Sequence, residues 1–265
     1  MSTTETIHEV GSKIGMELRS GQVTAVGCTE RIRHLNEMLH QSRPNLELHR
    51  TRVFTKYFKE HESASQISKR YGAMAEVYRS MPIFIVKGER LLGWQGGKIR
   101  CNNFSIESHA HWLESDFDTF ETRAFDPWQI DAEDKEELKE VHIPYWKDKT
   151  LTSKFTAQTR EPNLLLNAGV VDCSNYISNP GSHFVPDYHE LLKIGYKGYY
   201  EKCVDLLEHM DKIDPENVGK RDFYLGMMQV CLGIRDYGKN LKAAAYAQAE
   251  KETDPKRQAE LKERS

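Results

Sequence analysis

Asn179-Pro-Gly-Ser-His-Phe-Val-Pro-Asp-Tyr-His-Glu-Leu-Leu-Lys-Ile-Gly-Tyr-Lys-Gly-Tyr-Tyr200 is the stretch from which the rest of the chain is read. Pro180-Gly181 is a breaker pair and sets a turn. One histidine, His183, follows among apolar residues. Pro186 can open a helix, where its missing N–H costs nothing. Leu191 and Leu192 give that helix an apolar side. Gly195 and Gly198 let the backbone bend or come close to another group. A loop that aims a histidine and is anchored by a helix builds a pocket wall. The same grammar also describes an ordinary helix start with a buried, hydrogen-bonded histidine.

Outward from this stretch, the apolar spacing is helical. Thr29 caps a helix carrying Ile32, Leu35, Met38 and Leu39, and Ser42-Arg43-Pro44 stops it. Further helical stripes are predicted over 51–60, 65–80, 131–142, 187–211 and 221–250. Asp131 is the expected N-cap of the fourth, with acids crowding its first turn as the helix dipole favours. Pro82 ends the third helix. Ile83-Phe84-Ile85-Val86, the turn Lys87-Gly88-Glu89 and Leu91-Leu92-Gly93-Trp94 predict one β-hairpin. The last long helix carries Phe223, Met227, Val230, Ile234 and Tyr237, an apolar face expected to be exposed in the isolated chain.

Composition excludes several classes. The 265 residues are 38% hydrophobic and 29% charged, with a net charge of -3. That gives no basic footprint for nucleic acid or an acidic membrane. No apolar run is long enough to span a bilayer. No signal peptide is legible, and five scattered cysteines without C-x-x-C spacing point to reduced thiols in a cytoplasmic setting. Gln95-Gly96-Gly97-Lys98 lacks the Walker spacing and reads as a flexible loop. His109 and His111, two apart, lack a third ligand for a metal site.

Several of these pieces together resemble one family. His183-Phe-Val-Pro-Asp-Tyr188 and Leu192-Lys-Ile-Gly195-Tyr-Lys-Gly198 are similar to the H-x-x-x-D-Y…L-x-x-G-x-x-G segment of glycyl radical enzymes, the pyruvate formate-lyase family of lyases, dehydratases and decarboxylases. His49-Arg-Thr-Arg-Val-Phe-Thr55 resembles its E-R-A-x-L-x-T helix, with His for Glu. Lys69-Arg-Tyr-Gly-Ala73 resembles R-R-A-x-A, and the 83–94 region resembles its hairpin. Ile143-Pro-Tyr-Trp146 resembles the I-x-P-Y-W that closes an acid-rich helix. Glu252-Thr-Asp-Pro-Lys-Arg-Gln-Ala-Glu-Leu261 resembles its E-T-D-x-x-R-K-x-E-L turn.

The resemblance implies a mainly α fold with a β-hairpin, the N-terminal helical part of the family's α/β barrel. Residues 1–25 would be an N-terminal arm and residues 26–265 the N-terminal part of a pyruvate formate-lyase-like domain. It nominates His183, Asn175 and Tyr176 for substrate binding. It implies a small organic substrate, a protein glycyl radical as the full-length family's only cofactor, and a radical-SAM activase to install it. The family's radical cysteine, in G-C-V-E, and radical glycine, in R-V-x-G-Y, have no match in this sequence. Cys203-Val204-Asp205 is the nearest approach to the first and reads as a core thiol on a helix. The expectation is therefore a fragment, a split-gene product or a decayed copy without catalytic residues of its own, completed by a C-terminal polypeptide or working as a homodimer. The alternative is a non-catalytic helical interaction protein derived from the same scaffold.

Overall fold

A computed structural model describes residues 29–108, 110, 113, 116–125, 127–158, 168–170 and 185–263. Two compact units divide the chain: Met1–Ser42 with Val86–Glu89, and Arg43–Ile85 with Arg90–Ser265. The expected 1–25 arm lies outside the described residues.

In the first unit, α1 spans Glu30–Gln41, with Thr29 Oγ1 accepting from the Ile32 N–H at 3.3 Å. Ser42 closes it, donating from its N–H and its hydroxyl to Met38 O. The Lys87-Gly88 turn belongs to this unit. Gly88 takes a φ of 92°, the region that favours glycine, and its carbonyl accepts from Arg31 at 3.1 Å.

The second unit starts with β1 (Asn45–Leu46), then α2 (His49–Glu60) and α3 (Gln66–Arg79). Ser65 caps α3, accepting from the Ser68 N–H at 3.2 Å. β2 (Cys101–Asn102) pairs with β1 in parallel, Asn45 opposite Cys101 and Leu46 opposite Asn102. Next come α4 (Ala132–Glu137), a π-turn at Leu138–His142 and α5 (Ile143–Trp146), followed by α6 (Leu151–Gln158). α7 (Tyr188–Glu208), α8 (Asn217–Lys251) and α9 (Pro255–Glu263) complete the order. The acid-rich helix predicted over 131–142 thus begins as expected. Its second half widens into the π-turn just before Pro144, whose ring has no N–H to give and crowds the carbonyl four residues back. Asp131 occupies the N-cap position without a side-chain bond to the helix.

The predicted hairpin at Ile83–Trp94 is not formed; none of those residues is in a strand. The backbone groups that a ladder would use are taken elsewhere. Trp94 N–H reaches Tyr237 Oη at 3.3 Å, and the same hydroxyl lies 3.4 Å from Trp94 O. What remains of the pairing is a ring stack of Phe84 on Trp94, centroids 5.3 Å apart. The strands that do form are only two residues long each and are joined by Asn45 N–H to Arg100 O and Glu47 N–H to Asn102 O.

The core gathers around Leu48, Phe54, Ile106, Leu113, Phe120 and Trp146, all essentially inaccessible. α8 is 35 residues long, about 52 Å at 1.5 Å per residue. It packs on α3 and on α7. Its contact with α3 is made by glycines: a Cβ at Gly226 would lie 2.6 Å from Tyr71 Cβ, and one at Gly233 would lie 2.6 Å from Ala75 O. Tyr71 also meets Phe223 edge-on at 5.6 Å. The apolar face expected to be bare on this helix is therefore largely turned inward, with only Phe223 above a third exposed among the five residues named for it. The bare apolar stripe lies on α7 instead, where Tyr188 is 61% and Leu192 84% exposed. No described helix is long and apolar enough to cross a membrane.

Candidate functional site

His183, Asn175 and Tyr176 lie outside the described residues, as do His109 and His111. What the structure shows is the helix that this segment enters. Pro186 does not open α7; it precedes the cap. Asp187 is the N-cap, its Oδ1 accepting from the Glu190 N–H at 3.0 Å while its carbonyl accepts from Leu191 N–H at 3.1 Å. An aspartate makes the stronger cap, so the helix starts one residue after it. Seven residues on, the helix breaks at Gly195, with φ 62° and ψ -179°.

The Gln95–Lys98 stretch is not a flexible loop but a pinned one. Glu47 is buried, and its Oε2 accepts from Gly97 N–H at 2.8 Å. Asn103 Nδ2 donates to Gln95 O at 2.6 Å, and Lys98 pairs with Asp131 at 2.7 Å. A side chain at Gly96 would strike Glu47, Asn103 and Cys101. A loop whose amide already serves a carboxylate, and whose lysine already has an acid, is not a phosphate cradle. Below it, Arg50 and Glu107 form a buried ion pair, and Arg50 N–H donates to Asn103 Oδ1 at 3.3 Å.

A second polar cluster ties α2 to the acid-rich helix. Trp146 Nε1 donates to Thr55 Oγ1 at 3.0 Å, and Thr55 Oγ1 lies 2.9 Å from His142 Nδ1. His142 Nε2 lies 2.9 Å from Glu137 Oε1, and Glu137 takes both oxygens to Arg52 Nε at 2.9 Å. Arg52 also holds Asp134 at 2.6 Å. The one hydroxyl proton of Thr55 is within reach of both Thr51 O at 2.7 Å and Nδ1 of a neutral His142 at 2.9 Å, while His142 Nε2–H is given to Glu137. Burial pushes His142 below the usual histidine range, the Glu137 contact opposing it. The hydrogen bond from Arg52 holds the Glu137 carboxyl down, to about 2. Arg52 is correspondingly held above its usual value by Glu137. The row is buried at Trp146, Thr55 and His142 and reaches solvent at Arg52, and its mutually paired groups hold α2 to the acid-rich helix.

The remaining reactive groups are quiet. Cys101, Cys203 and Cys231 are free, buried and pushed up by desolvation, so they are thiols rather than nucleophilic thiolates. Cys203 is thus the core thiol that the sequence implies. Among the described residues no three His, Cys, Asp or Glu side chains gather to hold a metal. One open groove of about 780 Å³ runs past His49, Tyr57, Glu76 and Arg79, but Arg79 is already paired with Glu76 and Asp236.

Comparison with known proteins places these features. Residues 27–264 match the family model described as pyruvate formate lyase-like, and the chain belongs to that family of glycyl radical enzymes. It is similar to isethionate sulfite-lyase from Desulfovibrio desulfuricans, 28% identical over 242 residues that cover 87% of this chain and 29% of the relative. Among solved structures it is similar to the B12-independent glycerol dehydratase from Clostridium butyricum, with TM-score 0.84, 30% identity, and coverage of 89% of this chain and 30% of that one. A glycyl radical enzyme from Archaeoglobus fulgidus shares the fold, with TM-score 0.81 at 23% identity over 89% of this chain and 30% of that one. The chain therefore spans under a third of the length of these relatives.

Proposed function

We propose that this chain is the N-terminal helical region of a glycyl radical lyase or dehydratase that breaks a C–X bond in a small organic substrate. The observation that carries this reading is the family match over residues 27–264, with relatives named as a sulfite-lyase and a glycerol dehydratase. In this reading His183 lines one wall of the substrate pocket, with Asn175 and Tyr176 beside it. His183 orients or polarises a substrate group; an imidazole cannot abstract a hydrogen atom. The radical glycine and its cysteine supply that chemistry from outside these 265 residues, after activation by a radical-SAM enzyme in the cytoplasm. The residues of this chain do not fit either role: no cysteine precedes Val-Glu, and no glycine stands in Arg-Val-x-Gly-Tyr. No radical step is assigned to them.

The test is electron paramagnetic resonance after anaerobic incubation with a radical-SAM activase and S-adenosylmethionine. A glycine-centred doublet is expected only when a family polypeptide carrying the cysteine and glycine motifs is added and co-purifies with this chain. A doublet from this chain alone overturns the assignment. Failure of every such polypeptide to bind favours the non-catalytic interaction protein.

A further inference from the structure

Tyr196 and Tyr200 stand four apart on α7, after its break at Gly195, and so share one face. Cys231 and Arg235 stand four apart on α8, with Leu232 beside Cys231. The two helices pack on one another, and these residues, with Lys197, line a groove of about 290 Å³. The surface they present to it is almost wholly apolar. The bend in α7 does not close the groove. At Gly198 an added Cβ would lie 2.5 Å from Ile194 Cβ, so Ile194 packs there. At 3.6 residues per turn, Gly198 points about 200° away from both tyrosines, onto the other side of the helix.

Floor and rim differ in chemistry. Cys231, 4% exposed, is the buried member, and Tyr196, 43% exposed, stands at the mouth. The two charged groups that line the groove, Lys197 and Arg235, are both cations. Asp236 takes Arg235 through Nε at 3.0 Å and Nη2 at 2.7 Å, which leaves Nη1 without a described partner. Asp236 also serves Lys239 and Arg79, and Arg79 has Glu76 besides, so this set holds three cations to two acids. Lys197 reaches Glu201 only at 3.6 Å, with 88% of its side chain in solvent, a contact worth little.

We propose that this groove binds a small organic anion with a flat apolar body, of the aryl carboxylate type. The body lies against the Tyr196 and Tyr200 rings and Leu232, where offset aromatic contacts favour a ring. The carboxylate meets Arg235 Nη1 and Lys197 at the rim. A cation would meet both rim charges, and a neutral ring would leave them unused. A concave, mainly apolar wall with a few convergent polar groups is the usual form of a small-molecule site, and this one is at the small end of the size range. The site is independent of the pocket reading of His183.

The experiment is a ¹H–¹⁵N titration of the chain with 2-naphthoate, and with 2-naphthamide as its neutral counterpart. Shifts are expected at the amides of 196–200 and 231–235, saturating with a Kd of about 1 mM or tighter. The naphthamide should bind about fivefold more weakly. Arg235→Gln, a change in solvent, should weaken naphthoate about fivefold and leave naphthamide unchanged, and Lys197→Gln should do the same about twofold. Leu232→Glu should abolish naphthoate binding; should it disturb the fold, the two exposed variants carry the test alone. Equal binding of naphthoate and naphthamide overturns the anion reading. No shift at these amides up to about 10 mM overturns the site. Protection of the same amides by a complementing family polypeptide, with naphthoate displaced, makes the groove an interface and overturns the ligand reading.

Discussion

Trp146 donates its indole N–H to Thr55 at 3.0 Å, across 91 residues of sequence. The bond joins the last residue of Ile143-Pro-Tyr-Trp146 to the last residue of His49-Arg-Thr-Arg-Val-Phe-Thr55. Two stretches that resemble family motifs are thus halves of one contact, reinforced by Phe58 against the Trp146 ring at 5.0 Å. Thr55→Val keeps the shape and removes the hydroxyl. It leaves the Trp146 N–H and His142 Nδ1 without that partner in a buried place. At about 1–3 kcal/mol for each orphaned group, the expected loss is about 2 kcal/mol or more. Thr55→Ser, which gives up one methyl, should cost about 1 kcal/mol. Urea unfolding at pH 7.5, with an unchanged m value, measures both.

The same row sets a pH dependence. His142 is held below its ordinary value by burial, and so is His49. The unfolded chain therefore takes up these protons first, and stability falls as pH drops below about 6.5. Glu137 is held down to about 2 by Arg52, so its contribution is full above about 4.5 and is lost between there and about 2. His209 is shifted the other way by Asp205, but it is fully exposed and solvent screens it. The expected result is a urea midpoint that falls from pH 7.5 to 5.5 and falls again below 4.5. His142→Gln should flatten the first decline and Glu137→Gln the second. A midpoint that rises from pH 7.5 to 5.5 contradicts the assignment.

Much of the helical frame was legible because its signals are local. Thr29 and Ser65 cap through their own side chains. The hairpin failed because Trp94 gives its backbone groups to Tyr237, 143 residues away, and no window of sequence contains that competition. β1 and β2 are two residues each, too short to carry a periodic pattern. The π-turn was equally hidden, since Pro144 reads as a helix end and acts here by widening the turn before it. At the site, the glycines after His183 were legible as bend or close approach. Which glycine does which required the dihedral of Gly195 and the neighbours of Gly198. The face of α8 was misread because its closest contacts are made by Gly226 and Gly233, which an apolar stripe does not count.

Those glycines separate two outcomes of one substitution. At Gly233 the new methyl would meet Ala75 O at 2.6 Å and Ala75 Cα at 2.9 Å. These are backbone atoms, so α3 and α8 must part, and Gly233→Ala should cost about 1–3 kcal/mol. At Gly238, on the same helix, nothing lies within 4 Å. There Gly238→Ala should stabilise by about 0.5–1 kcal/mol, the helix-interior penalty of glycine removed. Thermal melts of the two variants should move in opposite directions; movement in the same direction contradicts the close approach.

Exposed apolar surface should track α7 rather than α8. Tyr188 and Leu192 stand four apart before the break at Gly195 and are 61% and 84% exposed, with Val185 at 91% just ahead of them. Contiguous apolar surface of this kind marks a contact face. On α8, Ala245 and Ala249 are fully buried. Tyr188→Glu with Leu192→Lys adds charges where solvent already reaches, so stability should change by less than about 0.5 kcal/mol. Binding of the apolar dye ANS should fall by about half, since its site is removed without unfolding the chain. Ala245→Glu instead places an unpaired carboxylate in a closed helix contact, at a cost of several kcal/mol, and should raise dye binding by loosening the packing. Equilibrium urea curves and dye titrations on the three proteins decide the matter. If the α7 variant unfolds and the α8 variant does not, the two faces have been assigned the wrong way round.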